Sequence, residues 1–218
     1  MIFARNRDFL LIGVLAFISL SALGLTIHKI VEDARRFSPP PAPIAMAPAL
    51  VIGAHPEFLG NYAAPFTLVE FGDYQCPPCY YAATQIPTLI QHSKGQLRFV
   101  FRNFPIKSIH PLATQAAEVA EVARRHGKFW FFHDIIYAHQ ISLSPAWLNT
   151  LLRSLRLSKI QLQRDESYAC RAIADDVDIA KRCGITGTPF FLLITPQNRV
   201  YRLTSLEQVR TFVPINTK

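Results

Sequence analysis

The 218-residue sequence has little of what marks a nucleic-acid-binding protein, although its formal net charge is +8. Its lysines and arginines are scattered, and the densest basic clusters are the dipeptides Arg35–Arg36 and Arg124–Arg125. Neither dipeptide lies in a tract with interleaved aromatic residues or glycines, where a basic nucleic-acid site is expected. The sequence therefore predicts no nucleic-acid partner.

Cysteine is also scarce, with four residues in the chain. So few cysteines exclude a small disulfide-stapled domain, but an even number is compatible with one catalytic and one structural pair. A C-P-P-C motif at Cys76–Cys79 is followed only by Cys170 and Cys183, so the paired knuckles of a zinc site are missing. No two histidines have the H-x-x-x-H spacing. We therefore expect neither a metal nor a cofactor.

The N-terminal part contains an uncharged apolar run of about nineteen residues, Phe9 to Ile27, which as a helix could cross ~30 Å of hydrocarbon. After a short tail at residues 1–8, we predict a transmembrane anchor or signal segment at 9–30. Ala22–Gly24 offers a cleavage site that would release the protein to the periplasm, but the run continues to Ile27, which favours an uncleaved anchor. A proline-rich linker follows at residues 31–48, where extended polyproline geometry is expected.

The C-P-P-C motif organises the remaining sequence, residues 49–217. An alternating run at Phe66–Phe71 predicts a strand, and the cysteines that follow straddle a predicted helix start. Unpaired N–H groups and the positive end of the helix dipole favour a thiolate there, and the thiolate is the form that attacks disulfides. The two cysteines can also close into an intramolecular disulfide. We therefore predict a dithiol redox centre at Cys76 and Cys79.

The rest of this region predicts an α/β fold interrupted by helices. A strand, a helix and a second strand imply a right-handed parallel crossover. The strand signal is then absent until after Cys183, which predicts a helical insertion at about residues 106–183. The predicted strands are 50–52, 66–71, 96–104, 190–195 and 199–203, and the C-terminal helices are 158–172, 175–183 and 205–212.

These stretches together resemble the DsbA-type thiol-disulfide oxidoreductases, including the membrane-tethered DsbA/BdbD-like branch. The resemblance implies an α/β thioredoxin-like fold with an inserted helical domain, preceded here by the predicted transmembrane helix. A bare C-x-x-C is weak evidence, but a strand, a C-P-x-C motif and a distant G-T-P before a strand, in this order, form a specific combination. The matching stretches are Gly60–Cys79, Phe99–Pro105, His110–Pro111, Gly127–Trp130 and Gly184–Phe191.

The resemblance implies that Cys76 is the exposed nucleophile and Cys79 the buried resolving thiol. It makes Thr188–Pro189 a cis-proline turn that faces them and pairs through its backbone with an extended substrate segment. The alternative is a trans turn before an ordinary edge strand. Substrate contacts are accordingly expected from Thr188 and Pro189, and also from Tyr74 and Gln75.

Glu70 lies six residues before Cys76, where the resemblance implies a buried acid beneath the cysteines. Burial would raise the pKa of this carboxyl group and let it relay a proton to or from Cys79. The alternative is a solvated charge at the end of the strand.

Pro78 is where the sequence departs from the strongest oxidants of this type, which carry histidine next to the second cysteine. Proline brings neither an imidazolium nor a backbone N–H, so the Cys76 thiolate depends mainly on the Cys79 amide and the helix dipole. We therefore predict a Cys76 pKa between the extremes of about 3.5 and about 7 that are typical of DsbA and thioredoxin.

Cys170 and Cys183 are the second candidate pair. In one straight helix their Cα atoms would lie ~20 Å apart, beyond the ~7 Å limit for a disulfide. They can pair only if the chain folds back near Ala174–Asp175, which the adjacent aspartates permit as helix caps. A structural disulfide is the favoured reading, and two buried free thiols are the alternative.

The sequence thus predicts an enzyme, a protein thiol-disulfide oxidoreductase on the periplasmic side of the bacterial inner (cytoplasmic) membrane. It would be anchored by its single N-terminal helix and would donate disulfides to cysteine-containing exported proteins. The resemblance alone implies a membrane-bound, quinone-linked redox partner. Two alternatives remain: a reductase or isomerase of the same fold, and a non-enzymatic anchored assembly module.

Overall fold

The structure, a computed structural model, describes residues 21–29 and 41–215. These ranges belong to two compact units, Met1–Pro40 and Pro41–Lys218. Residues 21–29 are helical. Within the two described ranges, every helix is too short or too polar to cross a bilayer. The predicted tail at 1–8, most of the predicted anchor at 9–30 and most of the predicted linker lie outside the described residues.

Between residues 41 and 215, six strands form one mixed sheet in the order β1-β6-β5-β3-β4-β2. β3 and β4 are parallel and pair along seven residues each, whereas the other neighbours are antiparallel. The predicted parallel crossover is therefore present. The strands are β1 (Pro43–Ile44), β2 (Leu59–Gly60), β3 (Phe66–Gly72), β4 (Leu97–Asn103), β5 (Phe190–Ile194) and β6 (Val200–Leu203).

Helices cover both faces of this sheet, and four α-helices of the described residues lie between β4 and β5, where the insertion was predicted. The α-helices are α1 (Pro48–Ile52), α2 (Pro77–His92), α3 (Ala113–Arg124), α4 (Phe129–Ala138), α5 (Pro145–Arg153) and α6 (Lys159–Arg182). Two short 3-10 helices lie at Gln140–Ser142, between α4 and α5, and at Leu206–Thr211, after β6. The fold is α/β, as expected.

The alternation of β3 divides the core into two. Leu68 faces the larger cluster, formed with α2 and the helical insertion. Val69 and Phe71 face the smaller cluster, formed with the C-terminal end of α6. Because both faces of a central strand are covered, almost every residue of β3 is apolar or buried.

The N-terminal edge of the domain differs from the prediction at two places. Residues 50–52 belong to helix α1 and not to a strand, because the carbonyl of Ala47 accepts from the N–H groups of Leu50 (3.1 Å) and Val51 (3.3 Å). The predicted linker runs too far, since Pro43–Ile44 pairs with β6 and forms an edge strand of the sheet. The compact unit therefore begins at Pro41, not at residue 49.

The two helices predicted at 158–172 and 175–183 are one continuous helix, α6. Asp176 does not cap a new helix, because its carboxylate accepts from Arg102 Nε (2.6 Å) and from the backbone N–H of Asn103 (2.7 Å). Cys170 and Cys183 thus lie on one helix and at its C-terminal cap, ~20 Å apart. Both are free thiols, so the favoured disulfide was wrong.

The last predicted helix, at 205–212, is also different. It is a 3-10 helix, and Ser205 makes no side-chain cap. Instead, the side chain of Gln208 reaches back and accepts from the N–H of Thr204 at 2.8 Å.

Candidate active site

Cys76 is the N-terminal cap residue of α2. Its backbone is extended (φ −77°, ψ 116°), and its carbonyl accepts from the N–H groups of Cys79 (3.0 Å) and Tyr80 (3.3 Å). Prolines occupy the first two helical positions, where a missing N–H removes no intrahelical bond. The C-P-P-C sequence therefore starts the helix at the cysteine pair itself.

Both cysteines of the motif are free thiols, and both are buried. Cys79 is fully enclosed, and Cys76 retains only 6 % of its accessible surface, so the expected exposed nucleophile is nearly covered. The cover comes from the turn before β5, where the carbonyl of Thr188 accepts from Cys76 Sγ at 3.3 Å. The Thr188–Pro189 bond of this turn is cis, and the turn faces the cysteines as predicted.

The two thiols have opposite electrostatic surroundings. Hydrogen bonding from the Cys79 side chain lowers the pKa of Cys76 to about 6, against the opposing effect of burial. This value lies within the interval that the sequence predicts. Burial raises the pKa of Cys79, and the hydrogen bond to Cys76 raises it further. Cys76 is therefore mainly thiolate at neutral pH, while Cys79 stays protonated.

Glu70 on β3 is 1 % exposed, so it is a buried acid and not a solvated charge at the strand end. Desolvation raises its pKa to about 8, although interaction with the Cys79 thiol lowers it. Its Oε1 atom has no hydrogen-bond partner. Two residues on, a Cβ at Gly72 would overlap the ring of Phe101 and lie 3.0 Å from that oxygen, so this position requires glycine.

Tyr74 is too enclosed for the expected substrate contact, whereas the contact expected from Gln75 stays a prediction. Tyr74 is 1 % exposed, and its hydroxyl lies 3.2 Å from Nδ1 of His133, a buried imidazole whose pKa desolvation lowers to about 3. Gln75 is half-buried, and its Oε1 accepts from the N–H of Leu112 at 2.5 Å. Both side chains turn inward because the helical insertion packs against this turn, which the sequence around the motif does not reveal.

Asp73 is a functional candidate that the sequence reasoning missed. Its carboxylate accepts from the N–H groups of Gln75 and Ile106, both at 2.8 Å, and lies 2.9 Å from Nδ1 of His110. An acid at the end of a strand, just before a helix cap, was the available signal. Asp73 begins the turn at residues 73–76, here called the active-site turn. Its carboxylate therefore joins this turn to the loop after β4.

Gln140 was also missed, and no local pattern marks it. Its Nε2 donates to the carbonyls of Tyr74 (2.9 Å) and Cys76 (3.0 Å).

The described part of the chain holds no group of three or more metal-ligating His, Cys, Asp or Glu side chains.

Comparison with known sequences gives two kinds of match. A family model described as Thioredoxin matches residues 54–213. Relatives named Na(+)/H(+) antiporter NhaA come from Salinispora tropica (37 % identity over 139 residues, 62 % of this chain) and Salinispora arenicola (39 % over 137 residues, 62 %). The match covers only 21 % of the length of each antiporter.

Three solved structures illustrate the similarity in fold. A thioredoxin-like oxidoreductase from Silicibacter pomeroyi DSS-3 has 28 % identity and a TM-score of 0.58, over 74 % of this chain and 91 % of its own. BdbD from Bacillus subtilis has 23 % identity and a TM-score of 0.59 (78 % and 93 %), and α-DsbA2 from Wolbachia pipientis has 21 % and 0.59 (74 % and 87 %). The resemblance to DsbA-type proteins is thus confirmed, and the chain belongs to the thioredoxin family.

Proposed function

We propose that the protein is an extracytoplasmic thiol-disulfide oxidoreductase that forms disulfides in exported proteins through its C-P-P-C centre. The observation that carries this proposal is the opposite shift of the two thiol pKa values at the start of α2. A thiolate at neutral pH beside a protonated partner thiol is what thiol-disulfide exchange requires. Membership of the thioredoxin family supports this chemistry in general.

The proposed reaction begins from the Cys76–Cys79 disulfide. A client thiolate attacks Cys76 Sγ, a sulfur–sulfur bond forms between client and enzyme, and Cys79 leaves as a thiolate. A second client thiolate then attacks the client sulfur of this mixed disulfide and releases Cys76 as a thiolate. Two electrons pass from the client dithiol to the enzyme, which ends as the dithiol seen in the structure.

Glu70 is the proposed proton donor in the first step. Its pKa of about 8 leaves the carboxyl group mainly protonated at neutral pH, and it interacts with Cys79. The departing Cys79 thiolate is destabilised by burial, so a proton from Glu70 neutralises it where no water reaches. In the reverse direction the same carboxylate would accept that proton.

The low pKa of Cys76 favours disulfide donation over reduction. A sulfur with a low pKa is the better leaving group when the mixed disulfide breaks, and a stable thiolate stabilises the reduced enzyme. The proposal therefore places the protein on the oxidising side of thioredoxin.

The proposed location follows from redox chemistry and the apolar run near the N-terminus. Disulfides persist outside the cytoplasm, so an enzyme that donates them acts there. The uncharged segment from Phe9 to Ile27 supports export and anchoring at the bacterial inner membrane. A membrane-bound, quinone-linked protein as the oxidant of the dithiol is proposed from the family resemblance.

Covalent trapping tests the proposal directly. In Cys79→Ala the resolving thiol is gone, so the Cys76 thiolate should attack disulfides of exported client proteins, displace one client thiolate, and accumulate as mixed disulfides that a reductant releases. Cys183→Ala, which removes a buried thiol outside the site, should trap nothing. If Cys79→Ala captures no client, the protein is not an exchange enzyme and the assembly-module alternative is favoured.

A further inference from the structure

A glutamine of the helical insertion contacts the backbone on both sides of the active-site turn. Gln140 is the first residue of the 3-10 helix that follows α4, and its side chain is half-buried. The two carbonyls that its Nε2 reaches belong to Tyr74 and Cys76, 66 and 64 residues earlier in the chain. A primary amide has two N–H groups, so both are used on this turn.

The contact with Cys76 falls on the group that starts α2. The carbonyl of Cys76 accepts the first helical hydrogen bonds, from Cys79 and Tyr80, and Gln140 adds a third donor at 3.0 Å. The direction of this carbonyl sets the ψ angle of Cys76 and hence where its sulfur lies relative to the helix terminus. Without Gln140 this carbonyl keeps its two helical donors but loses the bond that ties it to the insertion.

Other parts of the insertion hold the same turn, but they bind Cys76 less directly. Asp73 is tied to Ile106, and Gln75 is tied to Leu112. Among the hydrogen bonds of residues 41–215, only that of Gln140 joins a side chain to the Cys76 backbone. Gln140 is therefore the group of the insertion that can most directly change the position of the nucleophile.

We propose that Gln140 is a positioning residue for Cys76, which holds the sulfur at the N-terminus of α2. The inference rests on the proposed function only in taking Cys76 as the reacting thiol. Without the amide, the turn between Tyr74 and Cys76 loosens and the thiolate loses part of its stabilisation by the helix. The pKa of Cys76 then rises by roughly 0.3–0.7 units, the size expected for a helix-terminus interaction.

The test is a pH titration of the reduced full-length protein, followed by the ultraviolet absorbance of the thiolate. The pKa values of the other three cysteines are raised, so the first ionisation step belongs to Cys76. Gln140→Met keeps the length of the side chain and removes both donors. The matched control is Gln115→Met in α3, where the glutamine Nε2 makes one exposed 3.5 Å contact with Asn149.

A higher Cys76 pKa in Gln140→Met, with an unchanged value in Gln115→Met, supports the proposal. Equal values in wild type and Gln140→Met overturn it, and so does an equal rise in both variants, which would report a general loosening of the insertion. If Gln140→Met does not fold, side-chain amide resonances of the wild type provide the measurement. The Gln140 amide protons must then shift with the ionisation of Cys76, and constant resonances overturn the proposal.

This titration needs no client protein, so its result is separate from covalent trapping. A Gln140-dependent pKa together with a failed trapping experiment would reject the proposed function and leave the positioning role. Successful trapping together with a Gln140-independent pKa would support the proposed function and reject the positioning role.

Discussion

The sulfur of Cys76 lies 3.3 Å from the carbonyl oxygen of Thr188, a residue 112 positions further along the chain. This contact joins the N-terminus of α2 to the turn before β5 in one site. The turn supplies a backbone acceptor beside the reacting sulfur, and it also explains why Cys76 is almost covered. An incoming chain that is extended at this point would meet the same backbone.

The Cys76 thiolate should depend on Cys79. Hydrogen bonding from the Cys79 side chain is the largest influence that lowers the Cys76 pKa, so Cys79→Ala should raise this pKa from about 6 by roughly 1–2 units. Cys79→Ser keeps a donor and should retain most of the shift. The rate of Cys76 alkylation as a function of pH measures both, and an unchanged midpoint in Cys79→Ala would contradict the assignment.

The redox potential of the Cys76–Cys79 pair should identify the direction of electron flow. Because the Cys76 pKa of about 6 stabilises the reduced form, we expect a potential above roughly −180 mV, on the oxidising side of thioredoxin. Equilibration with glutathione buffers of known potential measures it. A value near −270 mV, typical of thioredoxin, would instead indicate a reductase.

Glu70 should make stability fall as pH rises. Its folded pKa of about 8 lies above the ordinary value of 4.5, so between these values the unfolded chain ionises while the folded one keeps its proton. Stability is therefore lost as pH rises across this window, on the order of 5 kcal/mol in all. Glu70→Gln removes this dependence.

Urea unfolding at several pH values measures the Glu70 effect. The stability advantage of Glu70→Gln over wild type should be larger at pH 8 than at pH 5. A constant difference between the two proteins across this range would show that Glu70 ionises normally in the fold.

Asp176 should be needed for the stability of the domain. Its half-buried carboxylate pairs with Arg102 and accepts from the Asn103 backbone, so Asp176→Ala leaves a buried guanidinium without its charged partner. We expect a loss of about 3 kcal/mol in the free energy of unfolding. The matched control is Asp178→Ala on the same helix, where an exposed pair with Arg182 spans 3.8 Å and should contribute less than about 0.5 kcal/mol.

Equal losses in Asp176→Ala and Asp178→Ala would show that the Arg102 contact does not stabilise the fold. Denaturant midpoints at one pH give the comparison.

Cys170 and Cys183 should stay reduced when the active site is oxidised. Because one uninterrupted helix separates them, an oxidised sample should contain two free thiols. One, the exposed Cys170, should react with a thiol reagent in the native protein, and the buried Cys183 should react only after denaturation. A sample without free thiols would show that the helix opens to let them pair.

Local patterns were sufficient where one segment contains its own signal. The C-P-P-C motif begins α2, since proline suits the first helical positions. The alternation of Phe66–Phe71 marks β3, and Ser144, directly before Pro145, caps α5 by accepting from the N–H of Trp147 at 3.2 Å. Each depends on residues within a few positions of one another.

Local patterns failed where a distant partner changed the role of a side chain. The two aspartates at 175–176 resemble a helix cap, but Asp176 binds Arg102 of β4 and the helix continues. Tyr74 stands next to the motif like a surface residue, yet His133 and the rest of α4 enclose it. Gln140 lies in a segment without any catalytic pattern and still reaches the Cys76 carbonyl.

The sequence by itself determined the reacting groups: two thiols one helical turn apart, with an acid six residues before the first. The tertiary structure decided how those groups behave, since the pKa of Cys76, the burial of Glu70 and the partners of Tyr74 depend on chain segments up to 112 residues away. The physical reason is that hydrogen bonding within a helix turn is local, whereas desolvation and the electrostatic surroundings of a thiol arise from every element packed around it.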